Sequence, residues 1–451
     1  MSQNDLTQGS IVGKLFRFFF PILFGMLFQQ LYNTVDAVIV GKCVGPAALA
    51  AVGGSPAVIV NLVIGFFVGL ASGASVIISQ HFGSRDRERL QQAEHTILLF
   101  CLLIGLALTV LGYLSADWSL RLVKTPEDIL ADSESYLRIY YLGAAPLLLF
   151  NIGSGVLRAV GDSRHPLIFL AVCCVLNIAL DLLLVAVFPL GVAGAAWATI
   201  LSQLVSAVLI LRHLAKADPI YRFDPRLLRL YPSALRRILY LGVPAGVQSA
   251  LYSVSNLIIQ ASINALGTTI VAAWTAVGKY DGLFWVVSNS FGAAICTFVG
   301  QNYGAGQYER MKKGIGLWLL VALGTSMAIS GLLIGFSDIG FLLFTDDPSV
   351  IREAGAMLWY FVPFYFVWSF IEVISNSLRG AGDSFRPMVI ILCGVCLLRI
   401  LWIALVIPQW HTVLSVSLSY PISWALTALV FTVYYLRGKW LTRLRAHAAV
   451  S

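Results

Sequence analysis

Charge is the first thing that the sequence lacks. Only 12% of its 451 residues are Asp, Glu, Lys or Arg, while 59% are hydrophobic, and a soluble domain usually carries about 25% charged residues. The deficit extends along the whole chain, which excludes a disordered protein and an ordinary cytosolic enzyme. Six of the seven cysteines lie inside apolar runs, which excludes a disulfide scaffold. A polytopic integral membrane protein remains.

The sequence also lacks the motifs of ATP-driven pumps and enzymes. It has no phosphate-binding loop, no His-Glu-x-x-His motif and no convincing nucleophile–base pair. Cys393 and Cys396 have the spacing of a redox or zinc pair but no second pair of ligands, and the six histidines are scattered, so we expect no metal site. We therefore expect a protein that is not an enzyme, needs no cofactor and draws its energy from an ion gradient.

Long apolar runs recur twelve times. About 20 residues cross the hydrocarbon core of a bilayer, and short polar or Pro/Gly-containing segments separate the runs. The first run has no small-residue cleavage site, so it is predicted to be a helix and not a signal peptide. The runs predict an all-α integral membrane fold with twelve transmembrane helices, near residues 15–40, 56–79, 93–115, 136–157, 166–188, 191–214, 238–265, 282–301, 315–336, 357–377, 387–408 and 411–436.

Basic residues are concentrated on one side of the predicted membrane. The N-terminus, the even-numbered loops and the C-terminus hold most of the 30 Lys and Arg residues, whereas the outer loops 116–135 and 337–356 are acid-rich. The positive-inside rule then places both termini in the cytoplasm of a multi-pass protein of the bacterial inner (plasma) membrane. The net charge of +8 is therefore a topology signal that faces membrane lipids, and we expect no nucleic-acid partner.

The two halves of the chain carry the same motifs. A Gln-x-x-Gly turn at 80–83 recurs at 301–304, and a Leu-Arg-x-x-Gly-Asp-Ser motif at 157–163 recurs at 378–384. Both recurrences have the same offset of 221 residues. Six spans per half is an even number, so the two halves are predicted to keep the same orientation in the membrane.

This repeat predicts two six-helix bundles. We assign residues 1–211 to an N-terminal lobe with helices 1–6, and residues 238–451 to a C-terminal lobe with helices 7–12 and a basic tail. The polar, Arg-rich residues 212–237 are predicted to form a cytoplasmic linker. Two bundles of like orientation are typical of transporters, whose substrate path lies between the repeats near the bilayer midplane.

Four charged residues are clear intramembrane cases within the predicted spans, namely Asp36, Asp181, Glu372 and Arg399. A charge at the bilayer centre costs at least about 2.5–3.5 kcal/mol, so each is expected to have a function or a partner. Gln29, Asn33 and Asp36 follow helical spacing and share one face of helix 1. Asn177 and Asp181 likewise share one face of helix 5.

Two polar faces in one lobe are expected to bury each other. The resulting site would hold two carboxyl groups and several amides, and it cannot readily carry two full negative charges in a low dielectric. We therefore predict a proton carrier or a Na⁺ site at Asp36, Asn177 and Asp181. The alternative is that Asp36 and Asp181 are separate structural residues, each with its own hydrogen bonds.

Pro21 lies on the cytoplasmic side of Asp36 in helix 1. A proline inside a helix frees a backbone carbonyl and permits a bend. Pro21 is therefore either an ordinary helix-start proline or the site of a bend that responds to the state of Asp36.

The second half lacks the paired carboxylates. At the repeat offset, Leu398 and Trp402 occupy the positions of Asn177 and Asp181. Because opposite charges on adjacent spans attract each other strongly in a low dielectric, we expect Glu372 and Arg399 to form a buried ion pair. The alternative is that Glu372 lines a cavity and receives a cation.

The Gly-Asp-Ser-x-x-Pro motifs precede helices 5 and 11. Glycine makes the turn, Asp and Ser cap the next helix, and proline begins it. We expect Asp162 and Asp383 to be structural and to pair with Arg158 and Arg379. These two aspartates are expected to carry no chemistry. At most, they would hold one conformation of the loop in place.

Aromatic residues make up 12% of the chain. A cavity lined by aromatic rings with few acids suits lipophilic cations, through cation–π contact and one neutralising carboxylate. Contact with lipid and ordinary packing explain most of the rings equally well. The candidates for a cavity wall include Trp274, Trp285, Phe361 and Tyr365.

Together these residues resemble the multidrug and toxic compound extrusion (MATE) transporters. The similarity covers about residues 10–440, and the branch that it matches best includes the DNA-damage-inducible protein F type. It rests on the two repeated motifs and on Pro21, Gln29, Asp36, Gly45, Asn177 and Asp181.

The resemblance implies two six-helix lobes in a V around a central cavity. It also implies export of organic, often cationic, compounds by alternating access in exchange for H⁺ or Na⁺. Because the seam between the two repeats lies within one chain, we expect a monomer. Asp36, Asn177 and Asp181 then take the cation-site roles of the family, and Pro21 takes that of a bend proline. The remaining supporting residues are Gln29, Asn33 and Thr199.

Helix 7 departs from the pattern of other branches. Where those branches place carboxylates, this sequence has Ser255, Asn256 and Gln260, which disfavours a Na⁺ site in the C-terminal lobe. The alternative function is a flippase for a lipid-linked precursor. It would need a cavity rich in Arg and Lys. In this sequence Arg399 is the one basic residue that falls clearly inside a predicted span.

Overall fold

The computed structural model of the chain describes residues 5–438 and residue 440, and it is all-helical over this part. The predicted basic tail past Trp440 lies outside the described residues. Two π-helical segments, Leu182–Val187 and Leu392–Leu397, and two 3-10 turns, Pro225–Leu227 and Val362–Phe364, accompany the α-helices. The α-helices are α1 (Ile11–Cys43), α2 (Pro46–Gly53), α3 (Ser55–Ser84), α4 (Arg87–Leu122), α5 (Glu127–Leu142), α6 (Ala144–Ala159), α7 (Arg164–Asp181), α8 (Gly191–Ala215), α9 (Pro232–Asn264), α10 (Thr268–Tyr280), α11 (Gly282–Gly304), α12 (Tyr308–Gly335), α13 (Ser337–Phe341), α14 (Pro348–Phe361), α15 (Tyr365–Gly380), α16 (Phe385–Ile391), α17 (Leu398–Val406) and α18 (Val413–Leu436).

Ten helical segments of the described chain are long and apolar enough to cross a membrane. The fourth predicted span is instead a pair, α5 and α6, bent by 52°. The seventh predicted span falls on α9, whose 33 residues are amply long but include Gln248, Asn256 and Gln260 and are therefore less apolar. The predicted all-α membrane fold is confirmed, with these two spans less regular than the apolar runs indicated.

Helix boundaries repeat at the offset of the sequence motifs. α1 and α9 both have 33 residues and begin 221 residues apart, at Ile11 and Pro232. α6 and α15 both have 16 residues and begin at the same offset, at Ala144 and Tyr365. The internal repeat is therefore a property of the fold as well as of the sequence.

The described chain divides into two compact units. Unit 1 comprises Phe20–Gly246 with Asp5 and Leu6, and unit 2 comprises Thr7–Phe19 with the described residues from Val247 on. The division falls inside α1 and α9 and not in the predicted linker 212–237. Each of these two long helices therefore contributes to both units.

The predicted linker is held against the beginning of α4. The Gln91 side chain donates to the carbonyl of Pro219 at 3.0 Å, and the Asp224 N–H donates to His95 Nε2 at 3.1 Å. Burial and nearby carboxylates raise the pKa of Tyr221, in the same segment, to about 12, so its phenol stays neutral. These residues are thus a docked part of unit 1.

Each Leu-Arg-x-x-Gly-Asp-Ser motif closes one helix and caps the next. In the first, Gly161 has a φ of +87°, and the Asp162 N–H donates to the Leu157 carbonyl at 2.8 Å. This left-handed turn favours glycine. Asp162 Oδ1 then accepts from the His165 N–H at 3.2 Å and caps α7. Gly382 makes the same turn in the second motif, with a φ of +101°.

The pairing expected between the motif aspartates and Arg158 or Arg379 is not formed in the described chain. Asp383 instead accepts hydrogen bonds from Arg386 Nη1 at 3.0 Å and from the Tyr434 hydroxyl at 2.6 Å. The physical reason is the glycine turn, which points the aspartate at the following helix and away from the arginine four residues earlier.

α3 and α9 cross in backbone contact within unit 1. A Cβ added to Gly73 would overlap the backbone of Gly242, and one added to Gly69 would lie 2.8 Å from the Ala245 carbonyl. Gly242 and Gly246 form a second Gly-x-x-x-Gly pair opposite the first. Such pairs let membrane helices approach closely, and here they attach the first half of α9 to unit 1.

We predict that Gly73→Ala destabilises the protein. Gly→Ala within a helix normally stabilises a protein by about 0.4–1 kcal/mol, but this methyl group would meet backbone that cannot move aside, and overpacking costs about 1–3 kcal/mol. The melting temperature of the purified protein in detergent should fall by several degrees. The matched control is Gly324→Ala on α12, where an added Cβ meets nothing within 4 Å. Equal melting shifts in the two variants would contradict the crossing.

Candidate functional site

Two aspartates from different helices meet inside unit 1. Asp36 lies in the second half of α1, and Asp181 is the last residue of α7. Their carboxyl groups are close enough to share a hydrogen bond. The structure therefore brings together the two carboxyl groups that helical spacing placed on the polar faces of these helices. We call Asp36 and Asp181 the acid pair.

The acid pair has few other partners. Asp181 is fully buried, and no N–H or hydroxyl of the described chain donates to either of its oxygens or to Asp36 Oδ1. Asn177, one turn before Asp181, is also fully buried, and its amide oxygen and nitrogen are both unsatisfied over the same residues. Because buried polar groups nearly always have partners, these atoms are available as ligands for an ion or a proton.

Phenol groups surround the acid pair, and this arrangement was not predicted from the sequence. Tyr136 lies within electrostatic range of both carboxyl groups. Tyr32 lies near Asp36 and shares a hydrogen bond with Gln203, and the rings of Tyr136 and Tyr140 are 5.9 Å apart. The sequence signal that could have identified them is the four-residue spacing of Tyr136 and Tyr140 on α5, which puts both on one helix face.

An apolar cluster closes one side of the acid pair. Ile39 and Val40, in the turn after Asp36, pack with Val185 and Ala195. In such surroundings two adjacent carboxylates cannot both stay negative without a counter-cation, and no Lys or Arg of the described chain pairs with either one. The arrangement can therefore hold a proton or a small cation.

The predicted supporting residues lie around the acid pair without bonding to it. Gln29 and Asn33 are exposed on α1, and the buried Thr199 hydroxyl donates to the Ala195 carbonyl at 3.0 Å. Pro21 lies well inside α1, which remains helical through it. Pro21 is therefore not a helix-start proline, and the bend interpretation remains a prediction.

The winding of α7 changes directly after Asp181. In the π-helical segment Leu182–Val187 the Phe188 N–H donates to the Leu183 carbonyl, five residues earlier, at 2.9 Å. The second π-helical segment ends two residues before Arg399. Segments of this kind are rare and frequent at functional sites. Each one therefore adjoins a buried ionisable residue.

The predicted ion pair of Glu372 and Arg399 is not formed. Glu372 accepts a hydrogen bond from Asn376 Nδ2 at 2.8 Å. Arg399 is fully buried, lies 4.0 Å from the ring centroid of Tyr420 and donates to Ser423 Oγ at 3.3 Å. The physical reason is that α18 packs against both α15, which carries Glu372, and α17, which carries Arg399, whereas α15 and α17 are not close neighbours of each other.

Unit 2 contains a cavity of about 460 Å³ that we call the aromatic cavity. Its wall includes three of the rings proposed from the sequence, and no Lys or Arg of the described chain lines it. Arg399 lies behind the wall, against Tyr420. The lining side chains are Tyr252, Asn256, Ile259, Gln260, Trp274, Val277, Asp281, Trp285, Phe361, Tyr420 and Trp424.

Asp281 is the acidic group of the aromatic cavity, and it was not predicted. It lies between α10 and α11, is only 5% exposed, and accepts from the Tyr365 hydroxyl and from Trp285 Nε1, the latter at 3.1 Å. Its Oδ1 has no partner in the described chain. The apolar run was placed from residue 282, which left Asp281 outside. The available signal was its helical spacing with Trp274 and Trp285.

The chain is similar to known transporters over almost its whole length. The MatE family pattern matches residues 21–183 and 244–405. The probable multidrug resistance protein YpnP of Bacillus subtilis is 29% identical over 440 residues, or 98% of each chain, and YoeA of the same organism, also called a probable multidrug resistance protein, is 30% identical over 97% of each chain. A solved MOP-superfamily transporter from Pyrococcus furiosus has a TM-score of 0.90, at 23% identity and 99% coverage of both chains.

The fold and the intramembrane polar sites define a multi-pass membrane transporter. The chain belongs to the MatE family, and its predicted resemblance to the MATE transporters is confirmed. The more specific assignment to the DNA-damage-inducible protein F branch remains a prediction.

Asp181→Asn is predicted to leave the melting temperature unchanged or to raise it by a few degrees. The substitution removes one of two competing carboxylates and supplies an amide that can donate to Asp36. The matched substitution Asp383→Asn should lower the melting temperature, because Asp383 accepts charge-assisted bonds from Arg386 and Tyr434. If Asp181→Asn also lowered it, Asp181 would be an ordinary hydrogen-bonded structural residue.

Proposed function

We propose that this chain is a secondary active antiporter that exports organic cations in exchange for H⁺ or Na⁺. The acid pair carries the proposal, because it is a buried and chemically unsatisfied carboxyl pair inside a membrane-spanning lobe. The names of YpnP and YoeA support multidrug export. The proposed setting is the bacterial inner membrane, with both termini cytoplasmic and the monomer as the working unit.

An ion that reaches the acid pair removes its electrostatic repulsion. A proton between Asp36 and Asp181 leaves one negative charge instead of two. A Na⁺ ion would use the unpartnered carboxylate oxygens and the amide oxygen of Asn177. The two carboxyl groups lie within hydrogen-bonding range of each other, which suits a shared proton.

α1 connects the acid pair to unit 2. Asp36 lies on the part of α1 that belongs to unit 1, whereas Thr7–Phe19 belongs to unit 2. Pro21 lies two residues past this division, and it has no N–H to donate to the carbonyl four residues earlier, so α1 can bend there at reduced cost. Ion binding at Asp36 is thus proposed to change the course of α1 and to drive alternating access.

The aromatic cavity is the proposed place for the exported cation. Its volume falls within the usual range of ligand pockets, about 300–1,000 Å³. Trp274, Trp285 and Trp424 offer ring faces for cation–π contact, and Asp281 Oδ1 offers a negative charge without another partner. The flippase alternative gains no support from this wall, since it presents an acid and no described Lys or Arg.

Asp36→Asn and Asp181→Asn should each reduce gradient-driven efflux at least tenfold, because either change removes the pair's ability to exchange a charge. The measurement is efflux of ethidium from proteoliposomes under an imposed pH or Na⁺ gradient. The control is Asp128→Asn, at an exposed position in the first turn of α5, which should transport normally. Full efflux by Asp36→Asn would rule out coupling at this pair.

The same vesicles identify the coupling ion. Efflux driven by a pH gradient without Na⁺ assigns the proton, and efflux driven by Na⁺ at equal pH assigns Na⁺. Efflux that responds to neither gradient overturns the antiporter proposal.

Asp281→Asn should weaken the binding of tetraphenylphosphonium at least tenfold, or about 1.4 kcal/mol, while an uncharged analogue of similar size binds as before. Asparagine still accepts the bonds from Tyr365 and Trp285, so the fold should be retained, as an unchanged melting temperature would show. Calorimetric titration measures both ligands. Equal losses for the charged and the uncharged compound would indicate damage to the cavity and not loss of a charge contact.

A further inference from the structure

A third polar cluster lies apart from the acid pair and the aromatic cavity. It joins the start of α7 to the end of α8 within unit 1. Asp162 Oδ2 lies 2.6 Å from His165 Nδ1 and 3.8 Å from His213 Nε2, and the two imidazole rings are 3.9 Å apart. One ligand atom from each of the three residues lies within 4.8 Å of the others. Sequence spacing gave no sign of this cluster because His213 belongs to another helix.

The internal repeat supplies a comparison within the same molecule. At the offset of 221, the three positions are occupied in unit 2 by Asp383, Arg386 and Tyr434. There the guanidinium and the phenol donate to the carboxylate at 3.0 and 2.6 Å. That clamp is complete with protein groups alone. In unit 1 both donors are replaced by imidazoles, whose ring nitrogens can act as metal ligands.

We propose that Asp162, His165 and His213 bind a divalent transition-metal ion of the Zn²⁺ type, which clamps the loop before α7 to the end of α8. Two imidazoles and one carboxylate form a donor set that Zn²⁺ prefers. The capping of α7 remains intact, because it uses Asp162 Oδ1 while the imidazoles face Oδ2.

The spacing of the ligand atoms fits a tetrahedral ion. With metal–ligand distances of about 2.0 Å, two ligand atoms of a tetrahedral site lie about 3.3 Å apart. The observed separations of 2.6 Å, which is a hydrogen bond in this structure, and 3.8 Å lie on either side of this value. All three ligand atoms lie within 4.8 Å of one another, so the two rings would have to rotate toward a common ion. The His165 side chain is 43% exposed and that of Asp162 is 7% exposed. The fourth position therefore opens toward water, and the ion can exchange.

The ion would do in unit 1 what Arg386 and Tyr434 do in unit 2. It would fix the turn at Gly161 to the end of α8, the helix that also carries Gln203 beside the phenols of the acid pair. The clamp in unit 2 is therefore made of protein groups alone, whereas the clamp in unit 1 depends on a bound metal ion.

The full-length protein is to be purified in detergent with a tag that contains no histidine, stripped of metal with EDTA and titrated with Zn²⁺ in a calorimeter. One ion per chain is expected, with a dissociation constant at or below micromolar. His165→Ala and His213→Ala should each weaken binding at least tenfold. His411→Ala, at an exposed position between α17 and α18, should bind as the wild type does.

Melting curves with and without Zn²⁺ supply the second readout. Saturating Zn²⁺ should raise the melting temperature of the wild type by a few degrees, since it binds the folded state. The double variant H165R/H213Y rebuilds the clamp of unit 2 in unit 1. It should melt at or above the temperature of the metal-free wild type and should no longer respond to Zn²⁺.

Two results would overturn the proposal. One is the absence of Zn²⁺ binding to the wild type at 100-fold excess of metal over protein. The other is an unchanged Zn²⁺ response in H165R/H213Y, which would place the metal elsewhere on the chain. Neither result bears on the antiporter mechanism, because the cluster is separate from the acid pair.

Discussion

Asp36 and Asp181 contact each other and few other polar groups, and the function proposed for unit 1 depends on this contact. A carboxylate in an apolar interior must be bonded, paired or neutralised. Asp281 meets part of that requirement with two hydrogen bonds donated to its Oδ2, and the buried cation Arg399 is held by the ring of Tyr420 and the hydroxyl of Ser423. Both oxygens of Asp181 and Oδ1 of Asp36 have no such bonds in the described chain, and this is the basis for the proposal that an ion from outside neutralises the pair.

The two repeats share the positions of their helices, but side chains at equivalent positions differ in chemistry. Where unit 1 has Asp181, unit 2 has Trp402, whose indole donates to the Ser415 carbonyl at 2.8 Å. Where unit 2 has Asp281, unit 1 has Val60. Each unit therefore builds its acidic site at a position that the other fills with an apolar or aromatic side chain. Two unlike sites on one duplicated scaffold suit the proposed antiporter, which would bind two unlike ligands, a coupling ion and an organic cation.

Hydrophobic runs and helical spacing were sufficient to predict the helices, the repeat and the approach of Asp36 to Asp181. These features depend on local periodicity and on the cost of a charge in lipid, both of which a sequence displays. The partners of Arg399 and of Asp162 could not be obtained in that way. They depend on how helices rotate and which neighbours they meet, and the winding changes beside Asp181 and Arg399 alter that rotation in a manner that a regular helical period does not anticipate.

The two helices that contribute to both units are held by different kinds of contact. This difference favours one of them as the path of the proposed coupling. α9 enters unit 1 through the contact of Gly242 with Gly73, where the backbones touch and leave no room for sliding. α1 is attached to unit 2 through side chains. The ring centroid of Phe19 lies 4.6 Å from that of Phe291 and 5.6 Å from that of Trp318. Ring contacts of this kind tolerate small shifts in angle and distance better than a backbone crossing does. α1 and α9 each contain an internal proline, Pro21 and Pro244, so it is the kind of attachment that favours α1 as the path of the proposed coupling.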